Sequence, residues 1–149
     1  MPAEAPAIAV DANLLIWAHH PGFERHDAAR AWWADALSSV PVVGIPWAST
    51  LAFLRVSTHP RALSRPVSVE RAWSVVEGWL ARPNVQCPVP TERHPEILAK
   101  LLREGRAAGN HTTDAHLAAL AIEWGLELRT ADRDFARYPG LRWRDPLEA

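Results

Sequence analysis

The chain has one cysteine, Cys87, one lysine, Lys100, and no apolar run approaching the roughly 18 residues that a membrane span requires. The lone cysteine excludes an internal disulfide and offers no cysteine cluster for zinc; a reducing cytoplasm fits. Met1 to Pro6 lacks a basic region followed by a long apolar stretch, so the reading is a soluble, untargeted, cytoplasmic chain with no membrane partner. There is no glycine-rich phosphate loop, and Ser49 lies in no nucleophile-elbow pattern. Nor is there an excess of charge of one sign. Sixteen basic residues against 17 acidic ones give −1, which excludes a global basic field and makes any nucleic-acid contact local. All basic residues but Lys100 are arginine, the better phosphate fork, although a bias in base composition gives the same excess and is the first explanation. A length of 149 residues suits a single domain, 1–149.

What is present is an alternation of short apolar runs and helical patterns. Ala7 to Val10 reads as a buried strand that turns at Asp11-Ala12-Asn13 into a helix carrying Leu14, Leu15 and Trp17. After His20-Pro21-Gly22 a helix runs from Glu24 to Leu37, a second strand from Val42 to Ile45, and another helix from Pro46 through Val56. Thr58 to Pro66 is a surface loop, since its prolines suit neither helix nor central strand. Ser68 caps a helix to Leu80; Val85 to Val89 is a short strand; Thr91 caps a helix to Arg103. Thr112-Thr113 caps a helix from Asp114 to Trp124 that ends at Gly125, followed by a strand from Leu126 to Thr130, a short helix or turn from Asp132 to Tyr138, and a last strand at Leu141 to Trp143. The pattern predicts an α/β fold around a mostly parallel sheet. Trp17, Trp32, Trp73 and Trp124 fall at helical spacing and are expected in the core.

Isolated acids stand where this alternation brings chain segments together. Asp11 closes the first strand, Asp114 opens a helix, and Asp132 with Asp134 follows the strand ending at Thr130. In an open parallel sheet, residues just past the strand carboxyl ends converge on one crevice, and carboxylates gathered there repel unless a cation sits between them. That predicts a hard divalent metal held by oxygen and partly open to water. Each acid also has a structural reading. Asp11 can cap the first helix, Asp114 can serve as a first-turn carboxylate, and Asp132 or Asp134 can close an Asx turn. It is the coincidence of three segments that favours a site. His116, two residues from Asp114, is turned away from that face, and no histidine triad is apparent. Arg55, Arg61 and Arg65 flank the proline-rich loop and could grip a phosphate backbone beside the crevice, with solvated surface charge as the plainer reading.

Taken in order, Val10-Asp11-Ala12-Asn13-Leu14-Leu15, Phe53-Leu54-Arg55-Val56-Ser57-Thr58, Thr113-Asp114-Ala115-His116-Leu117-Ala118-Ala119-Leu120-Ala121 and Thr130-Ala131-Asp132-Arg133-Asp134-Phe135 resemble the PIN domain of VapC-type toxins. The resemblance implies a three-layer α/β/α domain and a Mg²⁺- or Mn²⁺-dependent ribonuclease that cuts a structured RNA such as tRNA or rRNA. It also implies a VapB-type antitoxin as partner. Carried over by motif, Asp11, Asp114 and Asp132 match metal ligands and Asp134 a supporting acid, all four catalytic, while Arg55, Thr50 and Asn13 are expected to meet substrate. The family's usual fourth acid falls, on a count back from Phe53, at Thr50, which puts a second metal in doubt. A PIN-like module that binds RNA or a partner without cleaving is the alternative. A metal-dependent phosphatase ranks last, since Asn13 replaces the second acid which that chemistry uses. An exposed apolar helix face including Trp32 or Trp33 would suit a homodimer.

Overall fold

The structure is a computed structural model that describes residues 5–148. Five short strands form one sheet: β1 (Ile8–Val10), β2 (Val43–Gly44), β3 (Val85–Gln86), β4 (Glu127–Arg129) and β5 (Trp143–Arg144). Their order across the sheet is β3-β2-β1-β4-β5, and every neighbouring pair is parallel. Six helices connect them: α1 (Ala12–His19), α2 (His26–Ser39), α3 (Trp47–Ser57), α4 (Val69–Leu80), α5 (His94–Glu104) and α6 (His111–Trp124); a 3₁₀ turn spans Arg133–Arg137. The expected three-layer α/β/α architecture is therefore present.

The period-2 alternation of β1 divides the core between the two faces of the sheet. Ile8 and Val10 point into one apolar cluster with Leu14, Leu15, Trp33, Phe53, Val76 and Trp79 from α1 to α4. Ala9 points the other way, into a cluster with Leu101, Ala115, Ala118, Leu128, Phe135 and Tyr138 from α5, α6 and the 3₁₀ turn. β1 is fully buried because both of its faces are covered, which is why it reads as an unbroken apolar run. Gly44 in β2 lets Leu126 and Pro88 close over the sheet; a Cβ there would stand 2.9 Å from Leu126 Cδ1 and 3.0 Å from Pro88 Cγ. α6 stops at Gly125, whose φ of 66° is the left-handed conformation expected after a helix end.

Several boundaries differ from the sequence expectation, each for a local reason. α6 begins at His111 with Asn110 before it, so Thr112 and Thr113 lie inside the first turn, where the Thr112 hydroxyl donates back to Gly109 O at 2.9 Å. α5 begins at His94, and Thr91 is drawn off to Glu123 on α6. Val85 to Val89 pairs only over Val85–Gln86, because Pro88 and Pro90 cannot donate to a ladder. Ser68 caps α4 as expected, accepting from Arg71 N at 3.1 Å. Trp73 and Trp124 are 39% and 43% exposed rather than core, whereas Trp33 is buried and cannot contribute to an exposed dimer face. Exposed large apolar side chains among the described residues include Trp47 and Leu51 on α3, Val69, Trp73 and Leu80 on α4, Val89 and Trp124. No helix among the described residues is long and apolar enough to cross a membrane.

Candidate active site

The sheet order reverses at β1, with β2 on one side and β4 on the other. This switch point is where an open parallel sheet leaves a crevice past its strand ends. Asp11 follows β1 there, its backbone N–H held by Arg129 O at 3.0 Å, so it lies beside the end of β4. Its carboxylate does two jobs. Oδ1 accepts from Ala12 N at 2.8 Å and caps α1; Oδ2 accepts from the Thr130 hydroxyl at 2.7 Å. Thr130 Oγ1 in turn accepts from Asp132 N at 3.0 Å, and Asp132 Oδ1 accepts from Asp134 N at 2.9 Å. A single chain of hydrogen bonds therefore joins both strand ends. The cap and Asx-turn readings of Asp11 and Asp132 are both correct, and neither uses up all the oxygen lone pairs of these carboxylates.

Asp114 faces the same crevice from the first turn of α6, half-buried, with His111 Nδ1 3.7 Å from its Oδ2. The wall opposite is α3, whose start is tied to β1 by the Ser49 hydroxyl donating to Val10 O at 2.7 Å. The cleft has a volume of 730 Å³ and is lined by Asp11, Ser49, Ala52, Arg55, Thr113 and Asp114, among others.

Neighbouring acids bear on both Asp11 and Asp114. Burial pushes the Asp11 carboxyl up to about 6; the bonds from Thr130 and Ala12 oppose this, while Asp114 and Asp132 add to it. Asp114 is raised by burial and by Asp132 and Asp134, with His111 pulling the other way. The Tyr138 hydroxyl, which donates to His111 O at 3.0 Å, is pushed up to about 12 by burial and then by Asp114, with Asp132 and Asp134 adding to it. Among the described residues, none of the four acids is ion-paired to an arginine. Asp11 and Asp114 line the cleft while Asp132 and Asp134 lie outside its lining, and no three His, Cys, Asp or Glu side chains among the described residues are grouped tightly enough to hold an ion as they stand. An all-oxygen set of acids fits a hard divalent cation: Asp11 is fixed by its hydrogen bonds to Ala12 and Thr130, and Asp114 and Asp132 are partly exposed.

Not every expected residue reaches the cleft. Thr50 is a correction. It is 3% exposed and lies on the buried stripe Thr50, Phe53 and Ser57, so the phase of α3 turns it into the core. A fourth carboxylate from α3 would have to stand at a wall position such as 52, where this chain has alanine. Asn13 is half-buried behind Ala12; its Oδ1 has no hydrogen-bond partner among the described residues and does not line the cleft. Asp134 is exposed and, like the partly exposed Asp132, lies outside the cleft lining. Arg55 is on the wall, as expected. Sequence reasoning missed Thr130 and His111. A hydroxyl at the last residue of a strand, two before Asp132, was the available signal for the first, and a histidine three residues before Asp114 for the second.

A parallel α/β sheet with acids gathered at its switch point defines a class of three-layer domains built to hold a cation beside an open cleft. A PIN domain model matches residues 8–141. The chain is 39% identical over 137 residues to Ribonuclease VapC33 of Mycobacterium tuberculosis, covering 92% of this chain and 96% of that one. It is 40% identical over 137 residues to Ribonuclease VapC37 of the same organism, covering 92% and 95%. Among solved structures it resembles Mycobacterium tuberculosis VapC20, a sarcin-ricin loop cleaving toxin, with a TM-score of 0.66 at 19% identity over 91% of this chain and 99% of that one. It also resembles VapBC2 from Rickettsia felis bound to a DNA fragment from its promoter, with a TM-score of 0.63 at 18% identity over 93% and 97%. The chain belongs to the PIN domain family, in its VapC branch.

Proposed function

We propose that this single-domain protein is the endoribonuclease toxin of a type II toxin–antitoxin pair, cutting RNA in a cleft that takes Mg²⁺ or Mn²⁺. The observation that carries the reading is the meeting of Asp11 and Asp114 in one cleft, neither ion-paired to an arginine among the described residues, in a chain 39% and 40% identical to two named ribonucleases. A fold that keeps such repulsion has a use for it, and a divalent cation is the group that relieves it. The near identity in length with two named ribonucleases supports the reaction class.

Asp11, Asp114 and Asp132 would hold the ion. When bound, it supplies a Lewis acid for the phosphoryl oxygen and lowers the pKa of water for in-line attack. Thr130 fixes the rotamer of Asp11 by its 2.7 Å bond and so sets where the site forms. Asp134 holds Asp132 through its backbone N–H and adds negative charge outside the cleft lining. Arg55 meets a substrate phosphate at the cleft wall, whereas Asn13, whose buried Oδ1 lies off the cleft lining, is not assigned a substrate contact. With alanine at 52 and no acid from α3, one resident ion is the expected stoichiometry.

A VapB-type antitoxin is the expected partner, and the protein is expected to act in the cytoplasm. Trp47 and Leu51, exposed beside the cleft wall, supply the apolar surface that a homodimer needs. The phosphatase reading lapses with the family membership. The test is incubation with total RNA in Mg²⁺, in Mn²⁺ and in chelator, with Asp114→Asn alongside and the new ends sequenced. Discrete ends that need both metal and Asp114 are expected; ends formed equally by Asp114→Asn would overturn the assignment.

A further inference from the structure

Two further depressions lie next to the acid cleft, along the C-terminal end of α3 and the loop that follows it. Arg55, on the cleft wall, is also a wall of a second depression of 270 Å³ formed with Val56, His59 and Arg61. Ala62 joins that depression to a third of 450 Å³, walled by His20, Phe23 and Arg65. No carboxylate lines the second or the third. Among the described residues, Arg55, Arg61 and Arg65 form no ion pair. His59 Nδ1 accepts the backbone N–H of Arg61 at 3.0 Å, which places the proton of the neutral ring on Nε2 and leaves the outward nitrogen a donor.

A phosphate backbone entering a cleft lined by Asp11 and Asp114 is repelled, and a chain with a net charge of −1 has no general field to hold it there. Unpaired guanidiniums leading away from the acids supply the missing attraction. We propose, resting on the ribonuclease reading above, that the three depressions form a track for RNA on one side of the scissile phosphate. Arg55 meets the backbone at the cleft mouth, Arg61 with His59 meets it next, and Arg65 meets it beyond. Phe23, half-buried at the far end, gives a base a face to stack on, and a basic groove with an aromatic wall is the arrangement that suits an unpaired strand. Contacts of this kind set register and direction without reading sequence. The substrate class that follows is RNA with several unpaired nucleotides on one side of the cut.

The test is the anisotropy of fluorescein-labelled oligouridylate titrated with full-length protein in chelator, where no cleavage occurs, across a range of salt concentrations. Arg61→Ala and Arg65→Ala are each expected to flatten the slope of log affinity against log salt by about 0.7, the single-strand value for one lost phosphate contact. The double variant is expected to flatten it by about 1.4 on the same basis. Lys100→Ala, which removes an exposed charge elsewhere, is expected to leave the slope unchanged, and thermal melting should match wild type in all four proteins. A wild-type slope in the folded double variant would overturn the track. So would undetectable binding by wild type at low salt, or loss of polyglutamate binding with oligouridylate unaffected, which would assign these arginines to an acidic protein segment. The readout needs neither metal nor turnover. Failure of the ribonuclease reading shows in the Asp114→Asn digest, and failure of the track shows here.

Discussion

Two partly buried carboxylates near opposite ends of one helix sit in opposite surroundings. Glu123, near the C-terminal end of α6, has a side chain that is 0% exposed, yet its acidity is strengthened. Burial pushes it up, but it accepts from Thr91 N at 2.8 Å, from the Thr91 hydroxyl at 2.7 Å and from His94 Nδ1, and these bonds hold it below the usual carboxylate range. His94 Nε2 then meets His116 Nδ1 at 3.0 Å, so this network locks the start of α5 onto α6. Asp11, facing the first turn of the same helix, has hydrogen bonds too, but its charged neighbours are acids, and its carboxyl rises to about 6. A buried acid supplied with donors and an imidazole is a structural element. One whose charged neighbours are other acids marks a candidate functional site.

The comparison breaks most visibly in activity. Asp11→Asn or Asp114→Asn is expected to lower metal-dependent RNA cleavage by about 10³-fold or more, read as initial rates on a defined substrate, because each removes a charge that the cation needs. Glu123→Ala is expected to do the reverse. It should cost about 3 kcal/mol in urea unfolding, since His94 and Thr91 lose their buried partner, while activity per folded molecule stays near wild type. Unchanged stability in that variant would remove the structural half of the contrast. Thr130→Val, which removes the donor to Asp11 and the acceptor of Asp132 N, is expected to weaken Mn²⁺ affinity by about 10- to 100-fold.

The smallest effect is on pH-dependent stability. Asp11 is raised from 3.8 to about 6, so the metal-free native state binds the extra proton, and stability falls as pH rises through that interval and is flat above it. The loss is about 2 kcal/mol, below full conversion of the shift because the group keeps some exposure. Asp11→Asn should abolish that slope. Glu123 has the opposite sign: its contribution is present above the ordinary glutamate range and is lost as pH falls through its lowered pKa.

The strands and helices that build the cleft were legible because their signals are local. Ala7 to Val10 followed by Asp11 needs only a buried strand and a turn, and Ser68 and Gly125 mark helix ends by their own chemistry. Helix starts at His111 and His94 were not, because Thr112 and Thr91 can cap a helix equally well: Thr112 instead donates back to Gly109 within the first turn, and Thr91 is taken by its tertiary partner Glu123. Thr50 was misplaced for a related reason: counting along the chain gives a position but not the phase of α3 against the cleft, which the packing of Phe53 and Ser57 fixes. The Glu123–His94–His116 network joins residues up to 29 apart, and no sequence pattern announces it.

The most direct test of the central claim is Mn²⁺ binding followed by electron paramagnetic resonance on the wild-type protein and on Asp11→Asn, Asp114→Asn and Glu123→Gln. Saturable binding of about one ion that both aspartate variants abolish and Glu123→Gln preserves is the predicted result. Binding that survives both aspartate substitutions, or no binding by the folded wild-type protein, would contradict the account.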